Sequence, residues 1–203
     1  MTIRQGTSAD YIDIAKVSNL AAPEYQLSST QLQRFEDTLD PRCKLGFFVA
    51  EEDEQIVGYA QYMQWADVYH PQAFWITVQV HPDYQRQGIG TQLYTTLSDA
   101  LAVYDPINFK SSIYDGYEGV LAFTQKLGFV EYSRRIDLTC DLNAVDLSPF
   151  MASVEKARAD NFRFIPIGEV SNDNIVVATI FDVQWALELD VPLDETLTRP
   201  SFK

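Results

Sequence analysis

The chain has 203 residues, enough for one domain with its own core, or one domain and part of another. A hydrophobic fraction of 46% predicts a folded protein. A net charge of -14 excludes a nonspecific phosphate-backbone binder and docking on anionic membranes, since both need clustered Lys and Arg.

In chain order, "TIRQG" (2–6) reads as a short first strand. Ser8 caps a helix over 9–20, with Ile12, Ala15 and Leu20 among its apolar positions. "SSTQLQRFEDTL" (28–39) is a second helix, because Leu32, Phe35 and Leu39 fall on one face and Pro41 stops the run. "LGFFVAEE" and "QIVGYAQYMQW" form a hairpin across the polar turn "EEDEQ". "FWITVQV" (74–80) is an apolar strand, "TQLYTTLSDAL" (91–101) a helix and "NFKSSIY" (108–114) a strand. "EGVLAFTQKLGF" (118–129) is a helix whose end at Gly128 suits a left-handed cap. "VEYSRRIDLTCDL" (130–142) alternates and reads as a long strand. This order, β, α, α, β, β, β, α, β, α, β, predicts an α/β (α+β) domain with a mixed sheet over 1–142. Residues 143–203 differ. They read as a helix opened by Ser148 and Pro149, a strand in "FRFIPIGEV" (162–170), an apolar helix in "NIVVATIFDVQWALEL" and a proline-punctuated tail.

The opening "MTIRQGTSADY" lacks a secretory signal, and no stretch approaches the roughly 18 apolar residues of a membrane span, so a cytoplasmic location is expected. Cys43 and Cys140 lie far apart without zinc spacing and read as reduced thiols; no metal is expected.

Between the strand 74–80 and the helix 91–101 stands "YQRQGIG" (84–90). A glycine turn from strand to helix leaves backbone N–H groups at the positive end of the helix dipole, which is an anion site. Glycine serves there by letting a phosphate approach closely or by taking a positive φ. Arg86 adds a charge for a second phosphate. A Rossmann fingerprint would need a third glycine, and Leu93 stands in its place; a Walker loop would need Gly-Lys-Ser/Thr, which is missing.

"VHPDYQRQGIGTQLY" (80–94) resembles the Q/R-x-x-G-x-G/A acyl-CoA signature of the GNAT acetyltransferases. The hairpin "GFFVAEEDEQIVGYAQY" and the helix ending "AFTQKLGF" (122–129) are similar to other parts of that fold, so the likeness covers about residues 2–142. "DPRCK" and "FRFIPIGEV" resemble tandem members that carry two such domains. Residues 143–203 would then begin an incomplete second unit or complete the first sheet, with 162–167 as a seventh strand.

The resemblance implies a sheet splayed between strands four and five, with acetyl-CoA as co-substrate and a primary amine of a small molecule or peptide as acceptor. It places pantetheine on the backbone of Val78 and Val80, and pyrophosphate on Arg86, Gln87, Gly88, Ile89, Gly90 and Thr91. Many members protonate the departing thiolate with a tyrosine three residues before "LGF"; Thr124 stands there in this chain. Tyr114 and Tyr117 are the candidate substitutes, and the candidate bases are Glu118, Asp115 and His81, or a water held by a backbone carbonyl. Tyr59, Tyr62, Trp65 and Tyr69 are candidates for an acceptor pocket. Two other readings stand beside the enzyme: a catalytically silent module that binds acetyl-CoA or scaffolds a partner, and a nicotinamide-nucleotide domain. Neither nucleic acid nor membrane is an expected partner, and a homodimer is one state open to the chain.

Overall fold

A computed structural model of the chain describes residues 1–170, 172–191 and 195–201. It divides into two compact units, one built from Met1–Ser112 with the described residues of 189–201, the other from Ile113–Glu188.

The first unit is a five-stranded sheet in sequence order: β1 (Thr2–Gln5), β2 (Leu45–Glu52), β3 (Gln55–Met63), β4 (Ala73–Val80) and β5 (Asn108–Lys110). Neighbours run antiparallel up to β4, and β4 pairs with β5 in parallel, so the sheet is mixed. The β2–β3 hairpin closes on Asp53 and Glu54, both at positive φ (48° and 63°), the two-residue turn whose twist matches the strands.

Helices cover both faces. Alternation along β2 and β3 turns Phe47, Val49 and Tyr59 one way, where they pack with Tyr11, Ile14 and Val17 of α1 (Tyr11–Ala21) and Leu32 of α2 (Ser29–Asp37). The opposite face takes α3 (Ile89–Leu101), which buries Ile89, Leu93, Leu97 and Leu101 at the helical period. Gly58 permits this close packing, because a Cβ there would lie 3.1 Å from Leu93 Cδ1. The Ser28 hydroxyl caps α2 by accepting from the Gln31 N–H, and the Gln31 side chain accepts from the Ser28 N–H in return.

Two buried carboxylates pin loops to this unit. The Arg4 guanidinium donates to both oxygens of Asp10 and holds that carboxyl down to about 2. Asp40, with a side chain 6% exposed, accepts from the Arg42 backbone and guanidinium. It also accepts from the Ser201 N–H (3.1 Å) and hydroxyl (2.6 Å). Residues 195–201 therefore lie as a strap on the first unit. Thr198 reinforces it: its N–H donates to the Asp67 carbonyl, its hydroxyl donates to the Ala66 carbonyl, and the Tyr69 N–H donates to that hydroxyl.

The second unit holds α4 (Glu118–Lys126), α5 (Ser148–Ala159), α6 (Ile167–Val170) and α7 (Asn174–Glu188). Three expected strand segments are corrected here. The strand 108–114 stops at Lys110, where its pairing with β4 ends, because an edge strand needs a partner to continue. Residues 130–142 form no strand: Ile136 and Leu138 are 76% and 90% exposed, and alternation without a hydrogen-bonding neighbour makes no ladder. Residues 162–167 form no seventh strand, since Pro166 has no N–H for a ladder and its carbonyl instead opens α6 by accepting from the Glu169 N–H. Gly128 follows α4 at φ 85°, as its position predicts. Among the described residues, no helix is long and apolar enough to cross a membrane. Cys43 is a buried free thiol and Cys140 an exposed one.

Candidate acyl-donor site

The turn after β4 is built by its own backbone. His81 accepts at Nδ1 from the Asp83 N–H and opens a short 3-10 helix at Pro82–Tyr84. Arg86 and Gly88 then take positive φ values of 64° and 84°. Such alternation turns successive N–H groups into one concavity, an anion-binding nest. Gly88 caps α3 without any side-chain hydrogen bond, and the first intrahelical bond runs from the Gln92 N–H to the Gly88 carbonyl at 3.1 Å. The N–H groups at the head of the helix, from Gly88 to Thr91, therefore have no carbonyl partner within it. A Cβ on Gly88 would approach nothing nearer than Gln92 Nε2 at 4.0 Å, so the space over the turn is open. Ile89 is buried toward the sheet while Arg86, Gln87 and Thr91 are exposed, which turns the donors outward. These features fit a bound pyrophosphate. Gly90 sits in the first turn of α3, and only Gly88 of the pair has a positive φ. Beside the turn, Met1, Ile3, Thr91, Gln92, Thr95 and Thr96 line an open groove of about 360 Å³.

The second feature is the edge of β4. It pairs with β5 only from Ala73 to Trp75, whereas its pairing with β3 runs on to Val80 opposite Gly58. The His81 N–H donates to the Val57 carbonyl at 2.8 Å, and no bulge interrupts the register. Strand alternation then directs the backbone groups of Ile76, Val78 and Val80 away from β3, toward the side where β5 has ended. Gln85 Nε2 donates to the Val80 carbonyl at 3.1 Å; the Val80 N–H and both Val78 groups have no strand partner among the described residues. The Val78–Thr91 residues named from sequence thus occupy one strand edge and the turn that follows it.

Of the proton-handling candidates, only His81 belongs to this turn. Tyr114, Tyr117 and Glu118 belong to the second unit. The two tyrosine rings meet edge to face at 6.3 Å, and Glu118 is exposed in the first turn of α4. Asp115 is ion-paired with Arg134 at 3.1 Å. The Thr124 hydroxyl donates to the Leu121 carbonyl within its own helix. His81 stacks edge to face on Tyr84 at 5.5 Å and shapes the turn.

Of the four aromatic pocket candidates, Tyr59 and Tyr62 point to opposite faces of the sheet, and Trp65 is 40% exposed. Tyr59 is buried beneath α1, its hydroxyl donating to Gln79 Oε1, and burial pushes that hydroxyl up to about 12. Tyr62 lies on the opposite face against Phe74, and Tyr69 lies under the Arg42 guanidinium at 5.3 Å. Sequence reasoning missed Glu195. Its carboxylate is 2.8 Å from the Lys110 ammonium, and that ammonium is 5.9 Å from the centre of the Trp75 ring. No motif flags a lone glutamate in a proline-punctuated tail, and only the strap brings it to the sheet.

A family model described as the acetyltransferase (GNAT) family matches residues 13–129. No curated protein matches the chain. Several solved structures share its fold. The yncA protein of Salmonella typhimurium, solved with its cofactor acetyl-CoA, is 22% identical, covering 65% of this chain and 80% of that one at a TM-score of 0.55. An aminoglycoside antibiotic 6'-N-acetyltransferase from Acinetobacter haemolyticus is 14% identical, covering 70% and 99% at 0.53. An acetyltransferase of Trypanosoma brucei is 22% identical, covering 68% and 99% at 0.52.

Proposed function

We propose, from the premise that this chain belongs to the GNAT family of acetyltransferases, that it moves an acetyl group from acetyl-CoA to a primary amine of a small molecule or peptide. The reaction is direct attack within a ternary complex. The observation that carries the reading is the unpaired edge of β4 running into a helix head that no side chain caps. Acetyl-CoA supplies the thioester acyl group. On this reading the nest at 86–91 and the Arg86 guanidinium hold the pyrophosphate, and the Val78 and Val80 backbone holds the pantetheine arm. Fixing both reactants on a rigid strand removes the entropic cost of their meeting.

The amine must lose a proton and the thiolate gain one. Tyr114 and Tyr117 are the proposed donors to the thiolate, and Glu118 the proposed acceptor from the amine. One observation favours a second reading, a module that binds acetyl-CoA without turnover: the hydroxyl at the usual tyrosine position, Thr124, is bonded inside its helix. The proposal includes a cytoplasmic location, supported by two cysteines that are free thiols. It also includes a GNAT domain over 1–142 with 143–203 as an extension. That 195–201 fall in the same compact unit as Met1–Ser112 favours an extension serving the first domain.

Calorimetric titration tests the donor site directly. Acetyl-CoA is expected to bind with micromolar affinity, and NAD at the same concentration to give no heat. Heat from NAD alone would replace the reading with a dinucleotide-binding one. Turnover across a panel of primary amines then separates the enzyme from the silent module.

A further inference from the structure

The last helix of the second unit, α7 (Asn174–Glu188), is apolar on two opposite sides. Val177, Phe181 and Trp185, one turn apart, are half-buried. Two positions further on, about 200° around the helix, Thr179, Val183 and Leu187 form a second row, with Ile180 and Gln184 beside it. These five residues line a groove of about 320 Å³. Val183 and Leu187 are 54% and 63% exposed in it. A helix that is apolar on all sides belongs inside something. Its own unit supplies no such interior, since no described residue of Ile113–Glu188 is buried.

Independently of the acetyltransferase reading, we propose that this groove binds the same helix of a second copy of the chain, forming a two-fold dimer. Charge selects the occupant. The chain carries a net charge of -14, yet no ionisable side chain lines the groove, and the two carboxylates of α7, Asp182 and Glu188, lie outside it. A basic partner would find no anion there, and an anionic lipid surface would be repelled by the rest of the chain. Two acidic copies approach each other most easily across an uncharged face, and this groove supplies one. Shape agrees with charge. Thr179, Val183 and Leu187 are spaced by four and make a ridge, and the channel between that row and the Ile180–Gln184 row is the groove that fits it. Each copy offers both halves, which is the condition for a self-complementary two-fold contact. Ridges of this spacing seated in one another cross at about −50°, with Val183 near the axis. A pair of single helices buries little area, so the dimer forms at micromolar and not nanomolar concentrations.

Sedimentation velocity of the full chain over about 1 to 100 μM provides the test. The sedimentation coefficient is expected to rise with concentration toward that of a dimer. Added salt is expected to favour the dimer, because it screens the repulsion between two acidic copies and leaves an apolar contact intact. Dissociation by salt would mark an ionic interface elsewhere and overturn the proposal. Val183→Asp sets two carboxylates against each other near the axis and is expected to weaken association at least about tenfold. Leu187→Gln removes apolar area without adding charge and is expected to weaken it several-fold. Ile12→Asp is the control for added charge, since Ile12 is an exposed apolar residue of α1, and it should leave association unchanged. All three side chains are exposed, so circular dichroism should report the same helix content in each variant. A chain that stays monomeric at the highest concentration, a dimer indifferent to Val183→Asp and Leu187→Gln, or equal weakening by Ile12→Asp overturns the proposal.

Discussion

Gly88→Val is expected to abolish acetyl-CoA binding, with affinity falling at least about a hundredfold, while the sheet and helices persist. The two effects separate because of where Gly88 stands. A Cβ there meets no protein atom closer than 4.0 Å, so no core contact is lost. The added methyls instead occupy the open space over the N–H groups at the head of α3. The backbone cost comes from φ 84°, a region β-branched residues rarely adopt, and amounts to about 1–3 kcal/mol. Gly88→Ala, with less strain and a smaller obstruction, should fall between the two. Calorimetry reads the affinity, and thermal melts confirm that the fold survives. Unchanged affinity in Gly88→Val would remove the nest from the donor site.

Asp40→Asn is expected to have the largest effect on stability. The carboxylate sits beneath the strap and receives charge-assisted bonds from Arg42 together with two bonds from Ser201. An amide keeps the shape but loses the charge and presents donors to donors. A loss of about 2 kcal/mol follows, read as a lower midpoint in urea. The same group sets a pH dependence. The Arg42 guanidinium, with help from Ser201, holds the folded carboxyl well below the usual range. Its contribution is therefore present above the unfolded value of about 3.9 and drains away as pH falls below it. Asp10, held down to about 2 by Arg4, adds to the same loss. Urea midpoints for the unmodified chain should fall between pH 5 and pH 3. In Asp40→Asn that fall should be shallower, and an equal slope would show that Asp40 does not link to folding.

The elements most legible in the sequence are those whose pattern is satisfied locally. Leu93, Leu97 and Leu101 repeat at the helical period, and the polar 51–55 turn separates two strands that pair with each other. The segment 130–142 shows the opposite case. Its alternation is as clear as that of β2, yet a strand exists only through a neighbour's hydrogen bonds, and pattern alone supplies no neighbour. The candidate donor site divides the same way. The glycine turn is written in consecutive residues and was readable. The positive φ of Gly88, against the helical Gly90, is a matter of backbone geometry that two identical letters conceal. Glu195, Thr198 and Ser201 are short-range ciphers, since their partners Lys110, Ala66 and Asp40 lie in distant parts of the chain.

The strap also has a consequence in time. Asp40 and Ser201 are 161 positions apart, so at a synthesis rate of about 5–20 residues per second the nascent chain waits roughly 8–30 s between making the carboxylate and making its hydroxyl partner. Once Lys110 has been made, all five strands are present and the sheet can assemble, but its clasp cannot close. The clasp therefore closes in a discrete step after Ser201 has been made, and until then the loops at Asp40 and Ala66 lack the bonds of the strap.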